Sequence, residues 1–311
     1  MAGLKELRGR LRSVRNTRKT TYAMKLVSAA KLKRVQDAVV ASRAYLKAME
    51  QLLGELKATE DARVQKAISL GKLPTQSAIN SLFIRRPVNR RLAIVIGGSR
   101  GLAGGFNSNL HKALESFISQ QPITLSENVT SLIIFGKKVS EFAKKNRFLV
   151  KEEFLELSED PEKWDLPRVL KEVQTLFTEG KVDEVYLIYA KFFSPLNIQP
   201  QVELFLPLGN SLNHIPTPSE RVTLERDIIF EPTIEDVFKY LVPKYLELRA
   251  RQAALNTKAS EHGSRMTAMD SATKNAEDII YGLQLAYNKL RQSNITSELL
   301  DILGGAEAIN N

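Results

Sequence analysis

The sequence contains no cysteine in its 311 residues. Disulfides, thiol switches and thiolate metal sites are therefore excluded. Histidine is nearly as scarce. His111, His214 and His262 stand far apart, at spacings that build no metal site, and no cofactor signature accompanies them. No Ser/His/Asp set or nucleophile elbow is present. No apolar run approaches a membrane span, and the first thirty residues lack the apolar segment of a secretory signal. Acidic residues are in deficit, 35 against 45 Lys and Arg, for a net charge of +10 and a pI near 9.6. Such a balance asks for an acidic partner: nucleic acid, an anionic membrane surface or an acidic protein.

Proline is missing from residues 4–57 and from everything after Pro243. These two stretches carry the strongest pattern in the chain. From Ile234 onward, steps of four and three residues land on Phe238, Leu241, Tyr245, Leu248, Leu255, Ala259, Met266, Met269, Ala276, Ile280, Leu283, Tyr287 and Leu290. Only Gln252, His262 and Thr273 break the apolar run. A 3.5-residue repeat of this length predicts one long coiled-coil helix, on the order of 100 Å at 1.5 Å per residue. His262 falls on the stripe and reads as a histidine packed between helices. A second stripe runs from Leu4 to Leu56 and predicts a helix of roughly 80 Å. It turns polar between Arg18 and Ser28, where the apolar residues drift one position to Tyr22, Leu26 and Ala29. Its first 34 residues hold eleven Lys or Arg and one acid, Glu6. An arginine-rich start also describes a transit peptide, but transit peptides do not carry a heptad on through residue 56.

Between the helices the texture is α/β. Short apolar runs at Leu92–Ile96, Ser131–Phe135, Phe148–Phe154, Glu184–Phe192 and Gln201–Leu206 alternate with helical patterns at Asn107–Ser119, Lys137–Asn146 and Leu166–Thr178. This predicts a mostly parallel, helix-covered sheet with an antiparallel edge formed by the last two strands. A further strand is expected at Asp227–Phe230. The fold class is thus α/β: an antiparallel pair of terminal helices, 1–57 and 232–311, flanking an inserted Rossmann-like domain with its linkers at 58–231. If both helices leave the domain at one level, facing residues sum to about 289, within about a turn. Met24 would then face Arg265, and residues beyond Asn288 would have no helix partner.

The loop Gly97-Gly98-Ser99-Arg100-Gly101-Leu102-Ala103-Gly104-Gly105 lies where phosphate-cradling loops sit. It has neither G-x-G-x-x-G nor Gly-Lys-Ser/Thr, so a tight turn and close packing explain its glycines better than a nucleotide. Glu152, Glu153, Glu156, Glu159 and Asp160 read as solvated surface rather than paired catalytic carboxylates. The segment Leu283–Thr296 sets Gln284, Asn288, Arg291, Gln292, Asn294 and Thr296 among apolar residues. Amides, a hydroxyl and an arginine suit contacts to a protein wall better than open solvent.

Three stretches together resemble a known family. They are Leu7–Lys19 continuing into Ala23-Met24-Lys25-Leu26-Val27-Ser28-Ala29-Ala30-Lys31, the loop Gly101–Asn107, and the closing motifs Arg265–Met269 and Leu285–Leu299. Over essentially the whole chain the sequence resembles the gamma subunit of F-type ATP synthase, the central rotor shaft. The resemblance implies a non-catalytic, cofactor-free subunit that couples ion flow through a membrane ring to ATP synthesis. It implies partners in the alpha and beta subunits of the head, the epsilon subunit and the c-ring. It implies a peripheral place on the cytoplasmic face of a bacterial inner membrane, reached only through the complex and without nucleic acid. By residue match, Met24, Arg265, Gln292 and Thr296 fall at family positions linked to coupling, and Lys31, Lys33 and Arg34 would meet an acidic loop of the beta subunit. The family loop usually reads Ser-Asp-Arg-Gly-Leu-Cys-Gly-Gly. Here the aspartate is missing and Ala103 stands for the cysteine, and the cysteine pair of the chloroplast type is absent. The alternative from another class is a basic coiled-coil arm that binds RNA, although the basic residues are not interleaved with aromatics.

Overall fold

A computed structural model describes residues 2–69, 80–83, 85–119, 129–208, 231 and 233–310. The strand expected at Asp227–Phe230 lies outside these residues. Helix α1 spans Ala2–Ser69 and helix α6 spans Ile234–Asn310. Between them come α2 (Asn80–Phe83), β1 (Arg90–Ile96), α3 (Phe106–Ser119), β2 (Val129–Phe135), α4 (Lys137–Lys145), β3 (Leu149–Phe154), α5 (Leu166–Thr178), β4 (Glu184–Ser194) and β5 (Asn197–Leu206). Helix α1 runs twelve residues past position 57, because no proline or glycine occurs from 55 until Gly71 to stop it. The chain forms two compact units, Lys31–Ser264 and Met1–Ala30 with Arg265–Asn311. Both long helices contribute to each unit.

In the unit Lys31–Ser264 the sheet order is β3-β2-β1-β4-β5, parallel except for the β4–β5 pair. The central strand β1 shows why both faces must be covered. Leu92, Ile94 and Ile96 point into one core with α5, α6 and α1, while Ala93 and Val95 point into the other with α3 and α4, as the two-residue period of a strand requires. Leu53 and Leu56 of α1 and Phe238 and Tyr245 of α6 are completely buried, or nearly so, in the first core. The two long helices are therefore built into the α/β body rather than laid on it. Tyr245 directs its hydroxyl to Glu50 of α1 at 3.4 Å.

In the other unit the helix pair has a fixed antiparallel register. Arg8 meets the hydroxyl of Tyr287 at 3.3 Å, Arg18 meets Glu277 at 3.3 Å, the Thr21 and Thr273 hydroxyls share a 2.8 Å bond, and Lys25 meets Asp270 at 2.6 Å. These facing numbers sum to 294–295. The register expected from chain ends, about 289, is displaced by five to six residues, or about 8 Å. Its premise failed, since the helices do not both begin at positions 57 and 232. Met24 does not face Arg265. The polar gap of the first stripe also resolves differently. Thr21, Lys25 and the buried Ser28 stay on the seam, and Tyr22 and Leu26 are half exposed. The strict heptad holds because the polar seam residues find polar partners on α6, so no drift is needed.

Candidate functional site

The structure brings several of the sequence motifs of the unit Lys31–Ser264 to one carboxylate. Glu159, in the loop after β3, accepts from Lys31 of α1 at 2.9 Å and lies 3.6 Å from Arg100 of the glycine loop, both through Oε1. Its Oε2 meets Nε2 of His262 on α6 at 3.2 Å. Burial alone would raise this carboxyl, but the Lys31 hydrogen bond and the charges of Lys258 and His262 outweigh it and hold the group at about 2. Glu159 is thus not simple solvated surface. His262, buried on the apolar stripe, packs against this loop and not only between helices.

The loop is held from below. Asp160 caps the short 3-10 turn Pro161–Lys163 by accepting from the Glu162 amide at 3.0 Å. The indole of Trp164 donates to the Ser158 carbonyl at 2.9 Å and stacks on Phe135 at 5.8 Å. Arg251 of α6 reaches Glu162 at 2.9 Å. Lys258, buried, lies 3.8 Å from Glu261 and 5.7 Å from the Trp164 ring centre. Glu153, another of the acids expected on open surface, takes Ser140 and Lys144 at 2.6 Å each.

A polar stretch of α6 seats that helix on the sheet. Strand β4 outruns β1: its last pair with β1 is Ile188, leaving the edge at Ala190 and Phe192 open. Buried main-chain groups there need partners. Asn256 Oδ1 accepts from the Phe192 amide at 3.3 Å, Thr257 Oγ1 accepts from the Ala190 amide at 3.4 Å, and Ser260 donates to the Ala190 carbonyl at 3.1 Å. Gly263 follows, with Phe192 and Pro195 against it so closely that a Cβ would lie 3.1 Å from the Phe192 ring. Sequence reasoning did not single out this seat. The one signal was the cluster of small polar residues Asn256, Thr257 and Ser260 on α6.

The first two glycines of the loop serve close packing. A Cβ on Gly97 would lie 2.2 Å from Val139 of α4, and one on Gly98 would lie 2.8 Å from Asn107 of α3. Gly136, at φ 121°, packs on the Gly97 carbonyl, a conformation suited to glycine. Among the described residues no group of three His, Asp or Glu side chains is arranged to hold a metal ion, and no helix is long and apolar enough to cross a membrane.

The remaining candidate residues lie on the helices. Lys33 is exposed and pairs with Asp37 one turn on, at 3.1 Å, and Arg34 is exposed. Met24 is half-buried and Arg265 is buried. In that unit a groove of about 1090 Å³ is lined by Arg8, Arg12, Arg15, Arg18 and Lys19 of α1 with Tyr281, Gln284, Tyr287 and Asn288 of α6. Gly3 of α1 lies against Leu290 of α6. Gln292 and Thr296 are exposed there, and the Thr296 hydroxyl donates back to the Gln292 carbonyl at 2.9 Å. Leu299, Leu300, Ile302 and Leu303 are more than half exposed beside them.

Comparison with known proteins agrees with this architecture. The family model for ATP synthase matches residues 3–309. The ATP synthase gamma chain of Moorella thermoacetica is 36% identical over 309 residues, covering 99% of this chain and 100% of the relative. That of Cytophaga hutchinsonii is 37% identical over 314 residues, covering 100% of both. Among solved structures, the fold is shared with a rotor chain of the Euglena gracilis mitochondrial ATP synthase (TM-score 0.57, 15% identity, 94% of this chain and 99% of that one). It is also shared with a central-stalk/c-ring chain of the Tetrahymena thermophila enzyme (TM-score 0.55, 21% identity, 81% and 99%). Paired terminal helices, an inserted five-stranded α/β domain and full-length similarity lead to one conclusion: the chain belongs to the ATP synthase gamma-chain family.

Proposed function

We propose that this chain couples rotation to catalysis through two surfaces, the exposed end of α6 and the basic face of α1. A gamma chain is the non-catalytic central-stalk subunit of the F-type ATP synthase, and its partners are the alpha and beta subunits of the head, the epsilon subunit and the c-ring. The observation that carries the reading of the surfaces is the stretch of α6 past Leu290. It exposes Arg291, Gln292 and Thr296 together with a run of leucines and isoleucines, a mixture that solvent alone does not favour and a protein wall does. Met24 and Arg265 serve as coupling positions further along the helix pair, and Lys31, Lys33 and Arg34 meet an acidic segment of the beta subunit. The proposed functional division is helix 1–57, inserted domain 58–231 and helix 232–311, with α1 itself continuing to Ser69. The complex works at the cytoplasmic face of a bacterial inner membrane, and the bacterial relatives support that placement. An RNA-binding arm has no comparable support from the matches.

The test is reconstitution with alpha and beta subunits, followed by ion-driven ATP synthesis in liposomes bearing the full complex. Gln292→Ala with Thr296→Ala should leave assembly intact and reduce the synthesis rate several-fold. Unchanged coupling in that double variant would remove the end of α6 from the mechanism.

A further inference from the structure

Lys31, Lys33 and Arg34 follow one another on α1, yet the fold treats them differently. Lys33 and Arg34 are exposed. Lys31 is two-thirds buried and its ammonium sits 2.9 Å from Glu159. The same carboxylate oxygen lies 3.6 Å from Arg100, and the other oxygen is held by His262, whose side chain is 96% buried. Glu159 therefore keeps a buried partner and an arginine if Lys31 leaves, so the departure of one cation does not strand the charge. The carboxylate itself is 43% exposed, open to approach by other charged groups.

Resting on the reading that this basic run meets an acidic partner, we propose that Glu159 is an intramolecular competitor for that partner. It holds Lys31 in the free chain and releases it when the partner's carboxylates arrive. Lys31 is then a cation with two alternative positions, and Lys33 and Arg34 make the first contact. The exchange replaces one partly solvated ion pair by another. Its free-energy difference is small and salt-sensitive, as a contact that must be made and broken during rotation requires.

The test measures association of the full chain with the alpha–beta head over a range of KCl concentrations. K33A and R34A address the acidic-partner reading: both should weaken binding and flatten its salt dependence, and if neither does, that reading fails. E159Q addresses the competitor. It should tighten binding at low salt about two- to five-fold, the range of a partly exposed ion pair. In the K31A background the same change should add nothing. Tightening that persists with K31A would reflect only the lost negative charge and overturn the proposal, as would E159Q binding no tighter than the unaltered chain while K33A and R34A weaken it. If E159Q does not fold, E159D replaces it. Aspartate keeps the charge and shortens the reach to Lys31, and it should tighten binding with the same dependence on Lys31; an E159D chain that binds no tighter would also count against the competitor.

Discussion

Glu159→Gln offers a direct measure of how strongly the α1–loop–α6 charge cluster holds the fold. The carboxyl sits at about 2 against an ordinary 4.5. Taken at face value the gap amounts to about 3 kcal/mol at neutral pH. The side chain is 43% exposed, so water screens the interaction and a figure of about 1–1.5 kcal/mol is appropriate. The sign follows from linkage. A carboxyl whose folded value is depressed contributes its full stability above the unfolded value of about 4.5 and loses it as pH falls toward 2. Urea unfolding of the full chain at pH 7 should show E159Q less stable by that amount, a loss of roughly 2–5 °C in a thermal scan. The gap between the two proteins should shrink to a small fraction of its neutral value by pH 3. Glu153 and Asp270 are also held below the carboxylate range, by hydrogen bonds from Lys144 and Ser140 and from Lys25 and Lys274. Both chains therefore weaken in acid, and only their difference reports on Glu159. A gap that stayed constant down to pH 3, or no gap at pH 7, would refute the assignment of Lys31, Lys258 and His262 as the cause.

Other outcomes follow from the packing. Gly97→Ala places a Cβ 2.2 Å from Val139 and should destabilise the chain by about 1–3 kcal/mol in urea titration; a loss under 0.5 kcal/mol would mean the helix yields freely. Cysteines at 21 and 273, whose native hydroxyls are 2.8 Å apart, should close a disulfide within one chain on mild oxidation, whereas cysteines at 24 and 265 should not; the reverse pattern would restore the displaced register. Gln292→Ala should leave the melting temperature of the isolated chain within about 1–2 °C, since its side chain is exposed and surface changes stay near ±0.5 kcal/mol; a larger drop would place it in the fold rather than at a partner. Reduction by dithiols should leave the activity of the complex unaltered through this subunit, because it has no cysteine; a thiol response that followed this chain into swapped complexes would contradict that.

Much of this architecture could be read before any coordinates. The heptads gave both long helices because helical pitch is local and every turn repeats the same requirement. Helix α5 fell at Leu166–Thr178 as expected, followed by Gly180 at φ 70°, because a left-handed residue just past a helix end favours glycine. The alternation of strands and helices pointed to a parallel sheet, and the closeness in sequence of its last two strands pointed to the antiparallel edge, which the structure tightens to a two-residue link. The terminal motifs marked the exposed end of α6, including Gln292 and Thr296.

The tertiary structure decided what depends on which elements meet. The apolar stripes say which faces meet and not how far one helix slides along the other, and the sum of about 289 came from assumed helix ends; the pairs Thr21–Thr273 and Lys25–Asp270 mark the register at 294–295. The same pairing left Tyr22 and Leu26 outside, against their hydrophobicity. Glu159 lies 128 residues from Lys31 and 103 from His262, and nothing in its own neighbourhood sets it apart from Glu156. It became the centre of a charge cluster only because the fold brings the loop after β3 beside α1 and α6, where Lys31 and His262 meet one carboxylate. Periodicity is a property of one segment and can be read from it; register and electrostatic partnership are properties of two segments in contact, and only the fold brings them together.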